Sequence, residues 1–269
     1  MIQPKARICI VNYKTPELIR VCLRAIRKFT DYPIEVVVVD NDSKDESVEY
    51  LRSLDWIRLI ERKYTPGDPR GSFDEGAAYD LGLADCQTEF FVVMHSDTIA
   101  LRPGWLTELI GHFNNDARTA CVGSDKIEIE PAWRAILKKA TDFKKLKRKL
   151  LPKPDPLGRR RYHNRTICCL YRTDVLKKEK LSFLMDHDKG FTTGKRLYLE
   201  LVDRGYKTVE LPIAKMKSNV LHLTHATQIT NPKEFPLGKR TFKKWSRIIK
   251  KRMAAEPIRS LLADDSLDK

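Results

Sequence analysis

Short, largely apolar runs recur through the first third of the chain and restrict its fold more than any other feature. They occupy residues 8–11, 36–39, 57–60 and 90–94, and only the third is interrupted by a charged residue, Arg58. Amphipathic stretches separate them, and the first of these stretches opens with Thr15 and Pro16, a typical helix start. Strands that are apolar at successive positions are buried on both faces, as in a parallel sheet covered by helices. We therefore predict an α/β fold with a mainly parallel sheet and helices on both of its faces.

Polar side chains follow three of these runs at the point where each ends. Asn12 follows the first run, Asp40 and Asn41 follow the second, and Ser96 and Asp97 lie just beyond the fourth. Ligands of parallel α/β sheets bind at the carboxyl ends of the strands. Asn and Asp also form turns after strands, which explains any one of these positions equally well. Three such strand ends together favour a binding site.

The sequence has no glycine-rich phosphate-binding loop. Neither G-x-G-x-x-G after the first strand nor G-x-x-x-x-G-K-[ST] occurs. A nucleotide bound here needs another way to neutralise its phosphates, and a divalent cation held by oxygen ligands is one.

Four segments resemble the family-2 glycosyltransferases, which have the A-type nucleotide-sugar transferase fold. The segments are residues 8–18, 37–43, 76–80 and 91–98, within a resemblance that runs over residues 8–227. It implies transfer of a sugar from a nucleotide diphosphate donor to an acceptor hydroxyl. It also implies a glycosyltransferase domain in residues 1–230, with a nucleotide-sugar-binding half in residues 1–125 and an acceptor half in residues 126–230.

The same resemblance assigns the donor to the ends of the first strands. By analogy, Val11, Tyr13 and Asn41 contact the nucleoside base, and Asp40 shapes its pocket. The full set of donor-binding candidates is Val11, Asn12, Tyr13, Asp40, Asn41, Asp80 and Ser96.

The segment from His95 to Asp97 stands where this family has its D-x-D motif. Asp97 supplies a carboxylate for a divalent cation, Mn²⁺ or Mg²⁺, and His95 replaces the first acid. A downstream histidine often completes the metal site in this family, which makes His222 and His225 candidates. The alternative is that Asp97 caps a turn and that the histidines are structural.

The catalytic base is missing from its usual place. Inverting members of the family use a carboxylate from a Glu-Asp pair to accept the proton of the acceptor hydroxyl. That pair aligns with Thr193 and Gly194 here. Asp188 and Asp186, in the preceding loop, are the replacement candidates, although an ordinary solvated loop explains these acids nearly as well.

Positive charge is concentrated in two segments of this chain, whose net charge is +15. We predict a basic helical insertion in residues 131–162, which contains Arg159, Arg160 and Arg161, and a basic amphipathic helix and tail in residues 231–269. Such helices suit an anionic membrane surface, which predicts a peripheral membrane contact and a glycan or lipid-linked acceptor. The alternative is that the apolar stripes pack on the protein's own core. Residues 263–269 are expected to be disordered.

Two other functional classes compete with the enzyme. The net charge suits a nucleic-acid-binding protein, but no nucleic-acid-binding motif occurs, so we expect no such partner. A catalytically inactive, transferase-like scaffold would explain His95 and the missing acid pair. Six cysteines without C-x-x-C spacing, no signal peptide and no apolar run of about 18 residues predict a cytoplasmic protein, peripheral on the inner face of the membrane.

Overall fold

The computed structural model describes residues 5–114, 116–127 and 163–269. Its main element is a mixed seven-stranded sheet. Its strands, in the spatial order β3-β2-β1-β4-β7-β6-β8, are β1 (Ala6–Asn12), β2 (Ile34–Asp40), β3 (Ile57–Glu61), β4 (Phe90–His95), β6 (Thr119–Ser124), β7 (Cys168–Arg172) and β8 (Lys207–Leu211). A separate antiparallel pair joins β5 (Thr98–Ala100) to β9 (Val220–His222). The predicted insertion of residues 131–162, with its three arginines, lies outside the described residues.

The sheet is mainly parallel, as predicted. Strand β1 pairs in parallel with β2 and β4, β2 with β3, and β6 with β8, whereas β7 runs antiparallel between β4 and β6. From β1 the chain proceeds to β2 and β3 on one side and then crosses to β4 on the other. This reversal opens a crevice at the carboxyl ends of β1 and β4, where ligands of such sheets bind.

Helices cover both faces of the sheet. They are α1 (Pro16–Phe29), α2 (Glu46–Arg52), α3 (Ser72–Ala84), α4 (Trp105–Gly111), α5 (Thr173–Lys178), α6 (Lys195–Asp203), α7 (Ile213–Asn219), α8 (Ala226–Thr230), α9 (Lys239–Met253) and α10 (Ile258–Ala263). Side chains of β1 alternate between two cores: Ile8 and Ile10 join the core that contains α1, and Cys9 joins the core that contains α3. All six cysteines are buried and free. The α/β prediction is confirmed.

The start of α1 is tied to two strand ends. Pro16 occupies the first helical turn as predicted, but the Thr15 hydroxyl does not cap the helix. It donates instead to Oδ1 of Asn12 at 2.9 Å and lies 3.1 Å from the Ser96 hydroxyl. The carboxyl ends of β1 and β4 are therefore held together beside α1.

The expectation that residues 263–269 are disordered is wrong. They complete α10 and form a 3-10 turn over Asp265–Asp268. Asp268 accepts hydrogen bonds from Nε of Arg24 at 2.8 Å and from the Tyr50 hydroxyl at 2.8 Å. Arg24 is buried on α1, and a buried guanidinium needs a counter-charge. The tail supplies it.

The apolar stripe of α9 faces inward. Trp245 and Ile249 are buried, and the Trp245 ring packs against His225 with centroids 5.2 Å apart. The structure thus supports the interpretation that this stripe packs on the protein's own core, so neither side chain is available to enter a bilayer. No helix in the described part of the chain is long and apolar enough to cross a membrane.

Candidate functional site

A cavity of about 400 Å³ opens at the carboxyl ends of β1, β2 and β4. Its volume lies within the usual range for a small-molecule site. Eight of the sequence-predicted residues line it: Val11, Tyr13, Asn41, His95, Ser96, Asp97, His222 and His225. The remaining wall comes from α3 and α8 and from Phe235.

Tyr13 gives one end of the cavity an aromatic surface. The Arg70 guanidinium lies over the Tyr13 ring at 4.6 Å and over the Tyr64 ring at 4.4 Å. Phe235 meets the Tyr13 ring edge-on, with centroids 5.9 Å apart. Stacked aromatic and guanidinium groups of this kind suit a planar, polarisable ligand such as a nucleobase.

Asn41 is held rigidly beside this surface. Its Nδ2 donates to the backbone carbonyl of Asp74 at 3.2 Å, and its Oδ1 accepts from Nη1 of Arg62 at 3.2 Å. Arg62 also pairs with the Asp74 carboxylate at 2.9 Å. The wall formed by β2 and α3 is therefore fixed by a buried polar network.

Three of the predicted donor-binding residues lie outside the cavity. Asn12 is fully buried and donates to Oδ1 of Asp40 at 2.7 Å, and Asp40 accepts the backbone N–H of Ser43 at 2.9 Å. This network joins the ends of β1 and β2, so Asp40 supports the neighbouring Asn41 from behind. Asp80 accepts from the Ser182 hydroxyl at 2.6 Å, on the side of α3 away from the cavity.

His95, Asp97 and His222 form a cluster with the spacing of a metal site. One potential ligand atom from each lies within 4.8 Å of the others. Oδ1 of Asp97 lies 3.3 Å from Nε2 of His222 and 3.8 Å from Nδ1 of His95. This buried oxygen has no hydrogen-bond partner among the described residues. A carboxylate oxygen left unpaired beside two imidazoles fits a divalent cation.

The electrostatics of the cluster agree with this donor set. Burial by itself raises the pKa of Asp97, but His222 and His95 outweigh burial and hold that pKa below its ordinary value. Burial alone would lower the pKa of His95, whereas the carboxylates of Glu75 and Asp97 raise it above the usual value. The site therefore favours positive charge next to an ionised Asp97.

His225 does not join this cluster. It lines the cavity with a left-handed backbone, φ 67°, and its ring packs on Trp245. His222 reaches Asp97 because β9 pairs with β5, in the register that sets Thr98 opposite His222. Of the two downstream candidates, the structure brings His222 to Asp97.

Glu75 is a cavity residue that sequence reasoning missed. Its Oε1 lies 3.0 Å from Nε2 of His95 and accepts the Thr166 hydroxyl at 2.5 Å, and its Oε2 lies 3.3 Å from the Thr193 hydroxyl. Burial raises the pKa of Glu75, but His95 and these hydroxyls outweigh burial and lower it. The sequence carries little signal for this role, because acids in a first helical turn are common.

The loop that carries the two base candidates lies outside the cavity. Asp188 is exposed, and Asp186 pairs with Nζ of Lys189 at 2.8 Å and with Nε of Arg196 at 3.0 Å. Between them, Nε2 of His187 lies 2.9 Å from the Ser72 hydroxyl. The loop is thus joined to the start of α3, the helix that carries Glu75. A catalytic role for Asp188 or Asp186 stays a prediction.

This chain is similar in structure to several solved glycosyltransferases. The mannosyltransferase PcManGT from Pyrobaculum calidifontis, solved in complex with GDP-Man and Mn²⁺, matches 97% of this chain and 79% of its own at 16% identity and a TM-score of 0.53. TarS residues 1–349 from S. aureus match 66% of this chain at 18% identity and a TM-score of 0.46. The present chain spans about half the length of that TarS chain, 50%.

Glucosyl-3-phosphoglycerate synthase from Mycobacterium tuberculosis, solved with Mg²⁺ and uridine-diphosphate, matches 64% of this chain and 58% of its own at 17% identity and a TM-score of 0.41. No curated protein matches this sequence. The model of the Glycosyl transferase family 2 matches residues 7–179, which is more than half of the chain and includes the strand ends of the cavity. The chain therefore belongs to Glycosyl transferase family 2.

Proposed function

We propose that this protein transfers a sugar from a nucleotide diphosphate donor to an acceptor hydroxyl, with Mn²⁺ or Mg²⁺ as its cofactor. One observation carries the proposal: Oδ1 of Asp97, which has no hydrogen-bond partner among the described residues, faces two histidines inside a cavity at the switch point of a family-2 glycosyltransferase sheet. The complex of PcManGT with GDP-Man and Mn²⁺ is consistent with such a donor site.

The donor extends along the cavity from β1 to β9. Its base stacks at Tyr13 beside Val11 and Asn41, and its diphosphate lies next to Ser96 and Asp97. His95, Asp97 and His222 would hold the cation, which would neutralise charge on the diphosphate leaving group. The sugar then projects toward the wall formed by α8 and by His225, which precedes that helix.

Transfer requires one proton acceptor in addition to the donor site. The acceptor oxygen forms a bond with the anomeric carbon, the bond from that carbon to the diphosphate oxygen breaks, and the nucleoside diphosphate leaves with the bonding electrons. The hydroxyl proton passes to a carboxylate, for which Asp188 is the first candidate and Asp186 the second. The contact of His187 with Ser72 links their loop to the start of α3, the helix whose Glu75 lines the cavity.

The acceptor is proposed to be a lipid-linked or surface-glycan precursor at an anionic membrane. The cationic face of α9 comprises eight exposed basic residues, and none of them pairs with a carboxylate in the described chain: Lys239, Arg240, Lys243, Lys244, Arg247, Lys250, Lys251 and Arg252. The opposite face of this helix contacts the cavity wall through Trp245 and His225. A membrane bound at the cationic face therefore lies close to the proposed site.

Thermal unfolding in a panel of nucleotide sugars tests the donor proposal. A ligand that binds only the native state raises the melting temperature, and we expect one donor class to do so more strongly with Mn²⁺ than without. Release of nucleoside diphosphate from that donor then tests turnover. Cation-dependent stabilisation without hydrolysis or transfer would identify an inactive scaffold, and no stabilisation by any nucleotide sugar would contradict the proposed function.

A further inference from the structure

Each histidine beside Asp97 has one ring nitrogen engaged by an oxygen acceptor and the other turned toward Asp97. For His222, Nδ1 lies 3.0 Å from the backbone carbonyl of Ile127. A carbonyl oxygen only accepts, so Nδ1 carries the proton of this contact. The lone pair of Nε2 then lies toward Oδ1 of Asp97, 3.3 Å away, which is the arrangement of a neutral metal-binding imidazole.

His95 is arranged in the same way through its opposite nitrogen. Its Nε2 lies 3.0 Å from Oε1 of Glu75, and its Nδ1 lies 3.8 Å from Oδ1 of Asp97. The hydroxyls of Thr166 and Thr193 also donate to the Glu75 carboxylate. Glu75 therefore acts as an acceptor toward every neighbour named here, which assigns the Nε2 proton to His95 and leaves Nδ1 for a ligand.

We propose, building on the proposed function, that Glu75 is a positioning residue that fixes His95 as a neutral Nδ1 ligand in a two-histidine, one-carboxylate cation site. A carboxylate behind a ligating imidazole orients the ring and increases its basicity. The acid missing from the D-x-D position is thus replaced by Glu75, acting through the His95 ring.

This ligand set has a consequence for the choice of metal. Mg²⁺ binds through oxygen ligands and keeps several of its waters, whereas imidazole nitrogen favours transition metals. For a given set of nitrogen and oxygen ligands, affinity increases from Mn²⁺ to Co²⁺. The site therefore prefers Co²⁺, then Mn²⁺, over Mg²⁺.

Calorimetric titration of the full chain with each metal alone tests the ligand set without any donor. We expect Co²⁺ to bind at least about tenfold more tightly than Mg²⁺. The variant His95→Asp restores an oxygen ligand. It should strengthen Mg²⁺ binding and weaken Co²⁺ binding, so the ratio of Co²⁺ affinity to Mg²⁺ affinity should fall. Equal affinities of the unmodified protein for the two metals, or an unchanged ratio in His95→Asp, would overturn the proposal.

The role of Glu75 is tested by Glu75→Gln, which keeps the three ligands. Loss of such a supporting carboxylate typically weakens metal binding by about 10- to 100-fold, and we expect Co²⁺ affinity to fall by that amount. Glu75→Asp keeps the charge but shortens the side chain, so it should also weaken Co²⁺ binding. Unchanged Co²⁺ affinity in both variants would overturn the positioning role.

Asp74→Asn is the matched control, because it removes a carboxylate from the same helical turn. Asp74 pairs with Nη1 of Arg62 at 2.9 Å and with Nε of Arg70 at 3.2 Å, away from His95. Equal losses of Co²⁺ affinity in Asp74→Asn and Glu75→Gln would mean that only the negative charge matters. That result would overturn the proposed hydrogen-bonding role of Glu75 toward His95. Thermal unfolding without metal shows whether each variant is folded.

These measurements distinguish a failure of the proposed role of Glu75 from a failure of the proposed function. Sugar transfer supported by Mg²⁺, together with equal Co²⁺ and Mg²⁺ affinities, overturns this inference and leaves the transferase proposal intact. Selective Co²⁺ binding that depends on Glu75, in a protein with no transfer or donor binding, supports the ligand set and contradicts the transferase proposal.

Discussion

Nε2 of His222 lies 3.3 Å from Oδ1 of Asp97, although the two residues belong to distant parts of the chain. Their proximity depends on the two-stranded pairing of β5 with β9. Asp97 immediately precedes β5 and His222 ends β9, so the small sheet brings both to the end of β4. The β5–β9 pairing therefore places Asp97, at the end of β4, next to the downstream His222.

Replacing Asp97 is expected to abolish most sugar transfer. Loss of a metal ligand removes charge stabilisation of several kcal/mol, and about 3 kcal/mol corresponds to a decrease of about 100-fold in kcat/KM. Asp97→Ala should therefore be nearly inactive while it remains folded by circular dichroism. His225→Ala is the control for metal binding, since His225 lies in the cavity but outside the cluster, and its Mn²⁺ affinity should match that of the unmodified protein. Near-normal transfer by folded Asp97→Ala would rule out its metal-binding role.

Tyr13→Ala is expected to weaken nucleotide binding. Base–aromatic stacking contributes about 1–3 kcal/mol, which corresponds to roughly 5- to 150-fold in the dissociation constant of a nucleoside diphosphate. Tyr64→Ala is the matched control, because Tyr64 also contacts Arg70 but does not line the cavity. Calorimetry with the diphosphate selected by the donor panel measures both. Equal effects of the two substitutions would place the base elsewhere.

Asp188→Asn should lower kcat far more than it raises the dissociation constant of the donor, because a proton acceptor acts mainly in the transition state. Asp186→Asn serves as the parallel test of the second candidate. Steady-state kinetics combined with donor-binding measurements separate the two effects. If both variants keep kcat within a few-fold of normal, the proton acceptor is another group.

Charge reversal on α9 should release the protein from anionic vesicles. Each basic residue near such a surface contributes about 1 kcal/mol, so Lys243→Glu, Arg247→Glu and Lys250→Glu together should weaken binding by at least about 100-fold. Co-sedimentation with vesicles that contain phosphatidylserine measures this, and added salt should weaken the binding of the unmodified protein.

The control for this variant carries the same change of net charge elsewhere. Lys44, Lys63 and Lys178 are exposed basic residues outside α9, and their replacement by Glu should leave much more of the vesicle binding. Equal losses in the two triple variants, or equal binding to neutral and anionic vesicles, would show that the cationic face of α9 is not the contact.

Asp268→Asn should destabilise the fold. It removes the carboxylate that pairs with the buried Arg24, and loss of such a charged contact costs about 1–3 kcal/mol, or a melting temperature several degrees lower. Burial by itself raises the pKa of Asp268, but Arg24 and Tyr50 outweigh burial and hold that pKa below the ordinary value. The contribution is therefore present above the unfolded-state pKa of about 3.9 and is lost as the pH falls through the lower folded-state value. Thermal unfolding at pH 7 and pH 3 should show a difference between the two proteins at pH 7 that shrinks at pH 3, and equal stabilities at pH 7 would contradict this pairing.

Local sequence patterns were sufficient to predict the architecture and the position of the cavity. The four runs became β1 to β4, since a short apolar run bounded by turn residues is typical of a strand in a covered sheet. Strand β3, which contains Arg58, lies at the edge of the sheet and is only partly buried. Their parallel alignment brings Tyr13, Asn41 and Asp97 to one edge of the sheet. Both results depend on periodicity along the chain and on a general property of parallel sheets, so no knowledge of distant contacts was needed.

Tertiary structure decided which polar residues reach the cavity. Asn12 and Asp40 end predicted strands, yet they satisfy each other's hydrogen bonds beneath the cavity. Glu75 looked like an ordinary first-turn acid, and only the packing of α3 against β1 and β2 brings it to His95 at the end of the neighbouring β4.

Tertiary structure also decided the roles of the downstream histidines and of the last residues of the chain. His222 and His225 are equivalent by spacing, and the β5–β9 register distinguishes them. The tail was expected to be disordered, but the buried charge of Arg24 orders it through Asp268. A local sequence pattern indicates which side chains of a segment face the core and which face solvent. The partner of a buried charge depends on the register and packing of segments far apart in the chain, so the folded structure alone specifies it.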